Sequence, residues 1–130
     1  MLKMYGDNIK QILFLSMLLP LLDYIYLHLI SNYFTNQIET IQKKKMVIRY
    51  IPFVLCYVLL IFDLYFFVIR KRKPPLYAFL GGIVIYGVYE LANYSLFQDW
   101  KLLTVIFDTL WGGVLSAAVT YLTYMVFPDK

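Results

Sequence analysis

Four carboxylic acids, Asp23, Asp63, Glu90 and Asp108, each lie inside a long hydrophobic stretch. A carboxylate in hydrocarbon costs roughly 2.5 to 3.5 kcal/mol on insertion scales, so it is expected to face a protein interior and to have a partner. Acids brought together in low dielectric do not all ionise, so a proton is expected to be shared or retained among them. Binding of a small polar or cationic ligand is the other chemistry open to such a group. The four are half of the eight acids in the chain, while no Lys or Arg sits deep in the same stretches.

Depth separates the four. With a rise of about 1.5 Å per residue, Asp23 and Glu90 fall past the middle of stretches that run toward one face, and Asp108 falls early in a stretch that starts from that face. These three share a level and form the candidate ligand-binding site. Asp63 sits late in its stretch, near the opposite face and within reach of Arg70. In the third stretch Gly82, Tyr86, Glu90 and Asn93 recur at helical spacing with Tyr89 beside them; in the fourth, Asp108, Gly112, Ser116 and Thr120 follow at four-residue intervals. Small residues let helix backbones approach, and hydroxyls bond across the contact. Asn93 is expected to orient a carboxylate, Tyr86 or Tyr89 to donate to one, and Trp111 to cover the site. Trp100 is expected in an interfacial aromatic belt.

A metal reading is weaker. Imidazole and carboxylates ligate zinc or iron, and His28 would have to complete the set. It lies near the end of its stretch and five residues after Asp23, on a different helical face. An interfacial or packing role is expected, with no metal and no cofactor. Cys56 is alone and mid-stretch, which leaves no disulfide or cysteine metal site within one chain.

The elements that must position these residues are helices. The apolar stretches cover about residues 9–30, 46–69, 76–97 and 102–127, each close to the ~20 residues a helix needs to cross ~30 Å of hydrocarbon. A soluble bundle would carry polar outer stripes, whereas these stretches are apolar almost all round. The 130-residue chain is 62% hydrophobic and 15% charged, against about 25% charged in a soluble domain. The expected fold is all-α, one integral membrane domain over residues 1–130, a four-helix bundle running up-down-up-down. Pro74-Pro75 and Gln98-Asp99 mark short turns. Ile30, Phe34, Ile38 and Ile41 recur at helical spacing among polar residues, which predicts a separate short helix lying in the interface.

Basic residues set the expected orientation. Lys3, Lys10, Arg70, Lys71, Arg72, Lys73 and Lys130 fall on one side, and Lys43, Lys44, Lys45, Arg49 and Lys101 on the other. The larger group is expected in the cytoplasm with both termini, in a cell or inner membrane. Two short basic runs beside apolar helices suit anionic headgroups, so lipids are the expected partners and nucleic acid is not.

The run Tyr86-Gly87-Val88-Tyr89-Glu90-Leu91-Ala92-Asn93, then Trp100, then Asp108-Thr109-Leu110-Trp111-Gly112, resembles a family of four-span membrane proteins, domain of unknown function 2177. Members carry Tyr-Asp-Leu-Thr-Asn late in the third span and Asp-x-x-Trp-Gly early in the fourth. They also carry an Asp followed by an aromatic and Leu in the first span, matched by Asp23-Tyr24-Ile25-Tyr26-Leu27, and an aromatic in the second that Tyr57 resembles. Glu90 stands where the family has Asp, and Ala92 where it has Thr. The resemblance covers most of the chain and implies an architecture and a site, not a reaction.

The reading carried forward is a small multi-pass protein whose acid-lined core binds or transports a small polar or cationic ligand, or relays protons. Its candidate site is Asp23, Tyr86, Tyr89, Glu90, Asn93, Asp108 and Trp111. Four helices leave little room for a pore, so a homo-oligomer is expected. The alternatives are an intramembrane enzyme acting on a lipid, with Asp or Glu as general acid/base, and an assembly subunit whose polar groups only join helices.

Overall fold

A computed structural model describes residues 2–128, with side chains from Asn8 onward; the Lys3 side chain and Lys130, both used above for orientation, lie outside the described residues. Four α-helices follow in order: α1 Leu2–Gln42, α2 Tyr50–Leu64, α3 Pro75–Leu96 and α4 Leu102–Val126, with a π-helical turn Tyr65–Ile69 continuing α2. Each has a segment long and apolar enough to cross a membrane: Asn8–Gln42, Tyr50–Ile69, Pro75–Leu96 and Leu102–Val126. Proline marks two of the starts. Pro75 opens α3 at its first turn and Pro52 lies in the first turn of α2, positions where a missing N–H leaves no bond unmade.

The separate interfacial helix expected over residues 30–41 is instead the continuation of α1. At 41 residues and about 1.5 Å per residue, α1 is about twice as long as the ~30 Å hydrocarbon layer is thick. No Gly or Pro interrupts it after Pro20, and Tyr33, Phe34 and Gln37 find partners on the α3–α4 turn and the first turn of α4. The helix stops at Lys43, whose φ of 57° is left-handed. Glu39 Oε2 then accepts the Met46 N–H at 2.8 Å, and the Gln42 amide donates to the Lys44 and Lys45 carbonyls at 2.9 and 3.1 Å. Held this way, residues 45–49 stay outside any helix, and α2 begins at Tyr50 rather than at the Met46 expected from hydropathy.

At the opposite end the chain is tied down. The π turn places the Arg70 N–H on the Tyr65 carbonyl at 2.8 Å, and the Lys73 N–H reaches the Val68 carbonyl at 3.0 Å. Arg72 donates to the Phe127 carbonyl at 2.7 Å and lies 4.3 Å over the Tyr124 ring. Tyr124 in turn donates to the Lys73 carbonyl at 2.6 Å. Beneath this clamp is the apolar core: Leu15, Leu19, Leu64, Val68, Ile69, Ala78, Leu115 and Val119.

Helices α3 and α4 make the closest contact in the molecule, and glycine permits it. A methyl added at Gly82 would meet the Gly112 carbonyl, one at Gly112 would meet the Tyr86 ring, and one at Gly113 would meet Phe79. This fixes α3 against α4 at the level of Tyr86, one helical turn from both Glu90 and Asp108. Helix α1 runs beside α4 with Phe14 near Phe127 at one end and Gln37 near Lys101 at the other.

Candidate functional site

The buried acids are joined to aromatic donors. Asp23 is 7% exposed, Asp108 9% and Glu90 fully buried. Asp23 accepts from two sides: the Tyr57 hydroxyl of α2 at 2.5 Å and the Trp111 indole N–H of α4 at 2.9 Å. Asp108 accepts from the Tyr26 hydroxyl of α1. The Tyr26 and Trp111 rings are stacked, 4.6 Å between centroids and 13° from parallel. One stacked pair therefore links the two carboxylates, each ring donating to one of them. Tyr26 follows Asp23 by three residues, and Trp111 follows Asp108 by three. Each helix thus presents one acid and one donor on the same face.

Glu90 differs from both. Its Oε2 accepts the Trp100 indole N–H at 2.8 Å. Its Oε1 is buried without a donor among the described residues, while the Asp108 carboxyl lies within hydrogen-bonding reach of Glu90. Trp100 is itself buried at 3% exposure and meets Phe34 edge-on. Two acceptors facing each other in an apolar interior make no bond unless a proton or a cation lies between them. Among the described residues no three His, Cys, Asp or Glu side chains come close enough to hold one metal ion.

A second polar group lies beside this one, toward the α1–α2 loop. Gln37 Oε1 accepts the Lys101 backbone N–H at 2.8 Å and the Thr104 hydroxyl at 3.0 Å. The Tyr33 hydroxyl is 3.1 Å from Thr104 Oγ1. Thr104 precedes Asp108 by one helical turn, so the two groups share a face of α4.

A family model described as predicted membrane protein (DUF2177) matches residues 8–125. The chain belongs to this family. It is therefore an integral, multi-pass membrane protein, as its four membrane-length helices also require. No curated protein and no solved structure compared with the chain is similar to it. Within the DUF2177 match lie all three buried acids, both tryptophans and the glycines that bring α3 against α4.

The residues expected at the site fall into two groups. Asp23, Glu90, Asp108 and Trp111 stand in the network just described, and Tyr86 packs its half-buried ring against Gly112. Asn93 and Tyr89 do not touch an acid through the described hydrogen bonds. Tyr89 is 54% exposed and meets Trp100 edge-on, with Asn93 beside its hydroxyl. The orienting role expected of Asn93 is taken by indoles and phenols. His28 is exposed and stacks on Tyr24 at 6.2 Å, away from the buried acids. Arg70 places its guanidinium 4.1 Å over the Phe66 ring rather than on Asp63. A shallow hollow of about 290 Å³ between α1 and α2, lined by Ile12, Ser16, Val58, Ile61, Phe62 and Tyr65, is separate from the acids.

Three donors, Tyr26, Tyr57 and Trp100, belong to the motifs that carry the family resemblance but are not among the residues expected at the site. Tyr26 and Tyr57 were two among thirteen tyrosines, and Trp100 read as an interfacial residue. The signal for Tyr26 was present in α1: Asp23, Tyr26, Ile30, Tyr33 and Gln37 alternate by three and four residues and form one stripe. Nothing in the spacing of Tyr57 or Trp100 singles them out, because each acts across a helix contact.

Proposed function

We propose that this chain is a membrane protein that holds one proton or small cation between Glu90 and Asp108, and that binding or moving this positive species is its function. The observation that carries the reading is the Glu90–Asp108 pair itself, two carboxyls in reach of one another with Glu90 Oε1 buried and without a donor. Two carboxylates this close in low dielectric do not both ionise unless a positive species lies between them. The site is complete within one chain. The homo-oligomer expected from the lack of room for a pore belongs to the transport form of the proposal.

Asp23 has a different part. Both of its bonds come from side chains on other helices, Tyr57 on α2 and Trp111 on α4, which supports a role in joining helices. This is the one element of the assembly-subunit reading that a specific contact favours.

Infrared spectra of the full chain in lipid at pH 7 test the pair. In buffer without metal cations a protonated carboxyl stretch is expected, and it should vanish in Glu90→Gln. If neither the band nor any response to added sodium or potassium is seen, the pair holds no positive species and the reading fails.

The up-down-up-down course with both termini in the cytoplasm is part of the same proposal. An impermeant maleimide should label Lys43→Cys from outside the cell and Arg72→Cys only after permeabilisation. Labelling of both from one side would overturn this topology.

A further inference from the structure

The apolar core of the bundle lies at one end. On the α2–α3 loop side of the carboxyl pair, the interior is filled by Leu15, Leu19, Leu64, Val68, Ile69, Leu115 and Val119. The Arg72–Phe127 and Tyr124–Lys73 bonds close that end. Hydroxyls lie in this half too: Ser116 faces Gly82, Thr123 donates to the Val119 carbonyl of its own helix, and Thr120 Oγ1, beneath the clamp, has no partner among the described residues. On the α1–α2 loop side, Gln37 and Thr104 are both buried and lie between the pair and exposed Lys101.

Gln37 is the informative residue. It is 2% exposed. A backbone N–H only donates, so its bond from Lys101 fixes which amide atom is oxygen. The Nε2 group is then a buried donor with no acceptor among the described residues, and buried donors in folded proteins nearly always have one. A water molecule is the acceptor that would satisfy it, and exposed Lys101 is the nearest point of contact with solvent on this side.

The chemistry of this route selects what passes. The Lys101 ammonium lies 4.8 Å from the Tyr33 ring centre at its mouth, and the free group further in is an N–H donor. An amide N–H2 offers a metal cation no lone pair, whereas water accepts from it and passes a proton onward. The other titratable groups near the pair are Asp23 and Tyr26 of α1, Tyr57 and Cys56 of α2, and Tyr86 and Tyr89 of α3.

We propose that the Glu90–Asp108 pair exchanges protons, not metal cations, with the solution at the α1–α2 loop end alone, through water held on the Gln37 amide. The water on the Gln37 amide gives a proton to a carboxylate oxygen of the pair and takes one from solvent at the mouth, so it is water again; release reverses the step. The inference rests on the pair reading above.

The test follows the protonated carboxyl band of the full chain in lipid as it shifts in deuterium oxide. Gln37→Leu should slow the shift roughly tenfold or more, since the path loses a hydrogen-bonding station, while Thr120→Val at the apolar end leaves it unchanged. In vesicles of one orientation, a pH jump on the Lys101 side should move the wild-type band and one on the Arg72 side should not. This second measurement needs no variant and stands if Gln37→Leu fails to fold. Unaltered exchange in Gln37→Leu, a response from the Arg72 side, or loss of the band on adding sodium or potassium would each overturn the proposal while leaving the pair intact. Absence of the band from the wild type under all conditions removes the pair reading instead.

Discussion

Gly112→Ala should lower the thermal stability of the protein in detergent sharply, by roughly 3 kcal/mol or more, at the upper end of what overpacking costs. The added methyl would run into the Tyr86 ring, and the same change at Gly82 would meet the Gly112 carbonyl. Neither obstacle yields cheaply. One is peptide backbone, and the other is a ring wedged between α3 and α4 beside the carboxyl pair. Relief therefore requires the helices to separate, which disturbs the reach between Glu90 and Asp108. Gly81 is the control, because a methyl there meets nothing within 4 Å. Gly81→Ala should be neutral or stabilising by up to about 1 kcal/mol, the helix-propensity difference between the two residues. Equal melting temperatures for Gly112→Ala and Gly81→Ala would show that the close approach of α3 and α4 does not hold the fold together.

That contact was legible in the sequence because small residues at four-residue spacing beside an acid say that backbones meet there. The three buried acids were legible for a related reason: a charge in an apolar stretch has few places to go. The partners were not. Asn93 is the conventional choice to orient a carboxylate and lies one turn from Glu90, yet Trp100 reaches Glu90 from beyond the end of α3. Spacing along a helix carries no information about what a turn folds back onto. The length of α1 was hidden by polarity: Asn32, Asn36 and Glu39 read as an interface, whereas Tyr33 and Gln37 on another face bind the start of α4. The π turn had no signal at all. Its residues, Tyr65 to Ile69, continue the apolar pattern of α2 without a break.

Asp23 and Glu90 should answer amide substitution with opposite results. Asp23 uses its two oxygens for two donors, Tyr57 through Oδ2 and Trp111 through Oδ1. Asp23→Asn leaves one acceptor oxygen, which the donor-only indole requires, and turns an N–H2 group to the phenol, whose oxygen can accept but whose own O–H then loses its acceptor. A buried donor without its acceptor costs about 1 to 3 kcal/mol, and the melting temperature should fall accordingly. Glu90 has one donor, the Trp100 indole on Oε2, and one oxygen without any. In Glu90→Gln the amide oxygen keeps the indole while the amide N–H2 supplies the hydrogen that the Asp108 carboxylate lacks. This variant should be as stable as the wild type or more so, because it makes permanent the hydrogen that a proton between the carboxyls provides. Measured melting temperatures in one detergent decide the matter. If Glu90→Gln is destabilised as much as Asp23→Asn, a shared hydrogen is not what holds Glu90 to Asp108. A small cation needing both carboxylates then becomes the occupant that the pair was built to hold.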